Sequence, residues 1–115
     1  MVEADLNTEP RWLASRDLVL VKSNGERSDL CMRIGFPYEV SSGEWACATS
    51  LEGLHGRLHD IHGIDAWQSL ALAQRLLMQL LGHALESGST LLCHEPPEPV
   101  TLAELFPAVQ ASSPQ

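Results

Sequence analysis

The chain is 115 residues long, and its seven basic residues against fifteen acidic ones give a formal charge of −8. That is one domain's worth of sequence, and with a pI near 4.9 it has no basic stripe to neutralise phosphates, so neither nucleic acid nor an anionic membrane is an expected partner. A chain of this size can bury about 65% of its unfolded surface, so the core requires neither a structural metal nor a disulfide.

Residues 1–15 are polar and contain Pro10, which predicts a flexible lead-in, with order beginning near Arg16 and Trp12 and Leu13 able to tack onto the body. Residues 17–23 are β-branched and apolar. Asn24-Gly25 then supplies the positive φ angles of a two-residue type I′ hairpin turn, and Leu30, Met32 and Ile34 alternate with Cys31 and Arg33 in the returning strand. Gly35 and Pro37 interrupt it, Tyr38 and Val40 continue as an edge segment, and Ser41-Ser42-Gly43 turns the chain. A third strand is expected over 44–51, with Trp45, Cys47, Thr49 and Leu51 on one face and the small Ala46, Ala48 and Ser50 on the other. The glycines at 53, 56 and 63 argue against a helix over 53–63, where the expectation is a loop and a short fourth strand near 57–62.

The spacing predicts a long helix from Ala66 to about Ser87. Asp65 is placed to accept at its N-cap, Gln68 to reach back, and Gly88 to close its C-terminus. Leu70, Ala73, Leu77, Leu80, Leu81 and Ala84 form its apolar side, and Trp67, Met78 and Leu85 widen that arc beyond what a small sheet covers. Leu91-Leu92-Cys93 returns as a final strand, and Pro96, Pro97 and Pro99 stop regular pairing. Thr101 with Glu104 makes a capping box for one helical turn, Pro107 ends it, and residues 108–115 form a disordered tail. The order predicts a single α+β domain over 16–107: a small antiparallel sheet of about four to five strands with one long helix across one face, a two-layer sandwich.

Few residues carry recognisable chemistry. The early acids Glu3 and Asp5 and the lack of an apolar run after them do not read as a signal peptide, so cytoplasmic residence and three reduced thiols are expected. His55, His59 and His62 beside Asp60 would converge as a facial metal set if their segment were helical, and would not if it were a strand. Cys93-His94-Glu95 has the residue types of a thiol nucleophile and base, but neighbours in a strand point to opposite faces. Glu95, Glu98 and Glu104 surround the proline segment as solvated carboxylates, a surface suited to a basic protein. No phosphate-cradling glycine loop and no GxSxG elbow occurs, and no cofactor is expected.

Trp45-Ala46-Cys47 on a strand, followed by Gly63-Ile64-Asp65-Ala66-Trp67-Gln68-Ser69-Leu70 opening an apolar helix, resembles an uncharacterised family of small bacterial proteins. Its members are similar from about Arg16 to Cys93, with a helix start of the form Gly-Val-Asp-Ala-x-Gln-Ala-Leu, from which Ile64, Trp67 and Ser69 depart. The resemblance implies the fold and no activity. Together these features predict a non-enzymatic protein-binding module, of the kind a small acidic inhibitor or immunity protein represents. Such a module is expected as a homodimer, with Trp67, Met78, Leu85, Glu95 and Glu98 at partner surfaces. The contrasting expectation is a metal-binding protein or metal-dependent hydrolase built on His55, His59 and His62.

Overall fold

A computed structural model describes residues 10–41 and 43–107. The first hairpin pairs β1 (Trp12–Val21) with β2 (Arg27–Gly35), from Val21 opposite Arg27 to Trp12 opposite Gly35. The strand therefore begins at Trp12, four residues before the expected onset, while the expected lead-in 1–9 and tail 108–115 lie outside the described residues. The turn also differs from expectation. Gly25 N–H donates to the Lys22 carbonyl and Lys22 N–H to the Glu26 carbonyl, so three residues, Ser23 to Gly25, form the loop, and Gly25 takes the left-handed φ of +90°. This is a type I turn relaxed by a glycine bulge, the next most common hairpin solution.

Beyond β2, the chain makes β3 (Tyr38–Glu39), β4 (Trp45–Cys47) and β5 (Thr49–Glu52). The single strand expected over 44–51 is thus split at Ala48. β4 joins a three-stranded sheet, between β3 and a later strand at Ile61–Gly63, whereas β5 pairs with β2. Burial explains why alternation misled here: Ala46, Cys47, Ala48, Thr49, Ser50 and Leu51 are all buried, so no face is marked by polarity. Likewise the one strand expected near 57–62 is two, β6 (Gly56–Arg57) beside β5 and β7 (Ile61–Gly63) beside β4.

The main helix α1 (Ala66–Glu86) lies across both sheets. Ser87 caps its end, with Gly88 and Ser89 N–H groups donating to the Leu85 and Ala84 carbonyls, a Schellman closure. β8 (Thr90–Leu92) then completes the larger antiparallel sheet in the order β6-β5-β2-β1-β8. The outer edge of β8 is covered by the returning chain, since Cys93 N–H donates to the Glu98 carbonyl and Val100 N–H to that of Leu91. The capping box forms as expected: Thr101 accepts from Glu104 N–H, Glu104 accepts from Thr101 N–H, and α2 (Leu102–Leu105) lays Leu102, Leu105 and Phe106 against the core.

That core joins Leu18, Leu20, Leu30, Ile34, Leu51 and Leu91 of the larger sheet to Ala73, Leu77 and Leu81 of α1. The buried stripe of the helix is Ser69, Ala73, Leu77 and Leu81, one residue per turn, while Leu70, Leu80 and Ala84 of the expected apolar side are only half-buried. Among the described residues, the other face of the larger sheet carries no helix. Cross-strand register arranges it in rows, with Asp17, Cys31 and Glu52 in one and Ser15, Arg33, Ser50 and Arg57 in the next.

Candidate functional site

The segment that opens α1 is largely consumed by its own construction. A Cβ added to Gly63 would lie 2.6 Å from the Ser69 backbone nitrogen, so only glycine lets β7 run this close beneath the helix. Asp65 accepts from Gln68 N–H at 2.8 Å as the N-cap, and the Gln68 side-chain oxygen accepts from Ile64 N–H, also at 2.8 Å. Ser69 is fully buried and returns its hydroxyl to the Ala66 carbonyl. Asp65→Ala removes the cap and is expected to destabilise by about 1 kcal/mol. An unchanged urea midpoint would remove Asp65 from that role.

What this construction leaves over is Ile64 and Trp67, 75% and 83% exposed. A residue before an N-cap is commonly covered by an apolar side chain at the fourth helical position, but that position here is Ser69, so no staple covers Ile64. Acids lie near the pair in sequence or in strand register. Asp65 stands between them, Glu44 lies 3.3 Å from His62 on β7, and Glu39 is opposite Trp45, itself opposite Gly63.

Of the other residues expected at partner surfaces, Met78 is 36% exposed on a later turn, and Leu85 packs against the core. Exposure is therefore greatest at Trp67. Trp12 lies elsewhere: the centre of its ring is 5.7 and 5.8 Å from the guanidinium carbons of Arg33 and Arg57, in the outer row of the larger sheet. Glu95 and Glu98 are exposed in the turn after β8, on a different element from Trp67.

The three histidines are not brought together. His55 lies in the turn after β5, His59 in the link between β6 and β7, and His62 on β7 beside Glu44. The segment that would have to be helical divides between two sheets, and no group of three or more His, Cys, Asp or Glu side chains among the described residues could hold a metal ion.

Thiol chemistry fares no better. Arg16 donates to Cys93 Sγ at 3.6 Å, while His94 faces Asp29 at 3.9 Å. Cys31 shares a concavity of about 370 Å³ with Asp17, Asp29, Glu52 and His94, and its pKa is raised, chiefly by burial. Burial pushes Cys47 up to about 11, and its thiol donates to the Gly35 carbonyl at 3.2 Å. At neutral pH both remain thiols, the unreactive form.

One polar arrangement escapes a reading of the sequence. Tyr38 on β3 donates its phenol to Asp60, which also holds Arg57 at 2.8 Å. Arg57 and Asp60, three residues apart, were the only local signal, because Tyr38 comes from another part of the chain. Burial first, and the Asp60 carboxylate second, push the Tyr38 phenol up to about 12. The folded value exceeds that of the unfolded chain, so this stabilisation is complete below pH 10 and is lost as pH rises through 12. Since Tyr38 is the one tyrosine of the sequence, phenolate absorbance reads it directly. The expected midpoint lies near 12, with Asp60→Asn lowering it, and a midpoint at 10 would contradict the arrangement.

Neither a search of curated proteins nor one of solved structures finds a match to this chain. A family model does match residues 14–100, a span that takes in the hairpin from Ala14 onward, every later strand and the whole of α1. The chain belongs to the family described as a domain of unknown function, DUF6968.

Proposed function

We propose that the protein is a non-enzymatic binding module for a basic protein, docking it through Ile64 and Trp67 at the start of α1. The exposure of Trp67 carries this reading. A tryptophan five-sixths open to water beside an isoleucine three-quarters open is an apolar surface that folding leaves uncovered, and tryptophan is among the residues most enriched at binding hot spots. The nearby Glu39, Glu44 and Asp65 and the net charge of −8 supply the complement of a basic partner and speed its approach. An acidic inhibitor or immunity-type protein works in this way, neutralising a basic toxin or enzyme. The proposal places the protein in the cytoplasm, and among the described residues no helix is long and apolar enough to cross a membrane.

The test is capture of a partner from source cells with wild type and with Trp67→Ala. A stoichiometric basic protein is expected on the wild type, with its association rate falling as salt rises. Trp67→Ala is expected to weaken it at least about 30-fold while leaving the melting temperature unchanged, since the indole touches little of its own fold. Equal affinity of the two proteins would overturn the assignment.

A further inference from the structure

The ladder of β1 has an open side. Lys22 N–H donates to Glu26, so even-numbered residues of β1 aim their backbone groups at β2 and odd-numbered ones aim away. Val21 and Val19 use theirs on Thr90 and Leu92 of β8. The pattern agrees on the far side of β8, where Leu91 and Cys93 bond in the opposite direction, to Val100 and Glu98. Cys93 then leaves β1, and the outward N–H and C=O groups of Ser15 and Asp17 have no backbone partner among the described residues. Residues Leu13 to Asp17 are all exposed. The open stretch ends where a bulge shifts the register between Trp12 and Ala14.

We propose that a second copy of this chain occupies the open edge, β1 against β1 in antiparallel order, with Ser15 of each copy opposite Asp17 of the other. Two features of the edge select this occupant over an unrelated strand. First, the edge is complementary to itself: in this register the outward groups of Ser15 and Asp17 in both copies satisfy one another, and the two-fold symmetry closes the assembly. Second, the charges match. On the uncovered face Asp17 heads a row with Glu52, and Ser15 heads a row with Arg33 and Arg57. Pairing Ser15 with Asp17 of the second copy continues each cationic row into an anionic one, twice over. The alternative centred on Asp17 would set Asp17 against itself and Ser15 against Val19, whose groups β8 already holds. The chosen register sets Arg16 opposite its own counterpart, and its pairing is confined to Ser15, Arg16 and Asp17, because Leu13 would next fall opposite Val19, which β8 holds.

Sedimentation of the full chain over a concentration series tests the proposal, with Ser15→Pro, Arg16→Gln and Trp67→Ala alongside. Dimers are expected for the wild type. Ser15→Pro should abolish them, because proline removes an outward N–H that the β1–β2 ladder does not use. Arg16→Gln should tighten association a few-fold by removing the like-charge pair, and Trp67→Ala should leave it unchanged. Should Ser15→Pro fail to fold, hydrogen exchange of the wild type decides: the Ser15 and Asp17 amides are expected to slow as concentration rises. A wild type that sediments as a monomer up to its solubility limit would overturn the proposal, as would a dimer that survives Ser15→Pro or exchange at these amides that ignores concentration.

Discussion

Gly63→Ala is expected to cost about 3 kcal/mol, at the upper end of what an added methyl does in a packed interior. The new carbon would meet the Ser69 backbone nitrogen at 2.6 Å and the Gln68 carbonyl carbon at 3.0 Å. Neither is the tip of a flexible side chain, so relief requires α1 to lift off β7 as a body. The same movement would pull on Asp65 and Gln68, which tie the helix start to its own cap. For a domain of this size the melting temperature should fall by about 10–20 °C. A drop of no more than a few degrees would show that helix and strand can separate cheaply here. The glycine of the family-like helix start is then a spacing device, with no role in chemistry.

Leu81→Ala should cost about 2–5 kcal/mol, measured as a shift in urea midpoint. Leu81 is fully buried as the fourth residue of the stripe that runs through Ser69, Ala73 and Leu77, facing a sheet whose own leucines are equally enclosed. A void there is walled by both layers and cannot close without moving one. Leu80, its neighbour, is only half-buried, and Leu80→Ala should cost much less. The contrast between adjacent leucines is the measurement: equal costs would mean that the helix is rotated about its axis relative to the stripe described.

Local devices were legible in the sequence because their physics is local. Asp65 and Gln68, Thr101 and Glu104, and Gly88 each act within a few residues, and all serve as their spacing implies. The hairpin and the returning strand at 90–92 were equally plain from apolar patterning between turn residues. Division into two sheets was not legible. Alternation reveals a strand only when one face meets water, and from Ala46 to Leu51 neither does. Trp67 could be picked out as surplus from the helical wheel. Ile64 was passed over, although Ser69, standing where an apolar residue would have covered it, was a local signal of its exposure. The link from Tyr38 through Asp60 to Arg57 depends on distant segments meeting, which spacing does not report.

The split at Ala48 bears on how the molecule comes apart. Trp45–Cys47 belongs to one sheet and Thr49–Glu52 to the other, with a single residue between them and α1 lying over both. No slack exists for one sheet to open while the other stays closed, because the shared segment would have to expose side chains buried on both of its faces. Amide exchange from Ala46 to Leu51 should therefore proceed only through whole-molecule unfolding, and its rate should follow denaturant with the full slope of the global transition. The two sheets, separate in their hydrogen bonding, are one unit in the kinetics of opening.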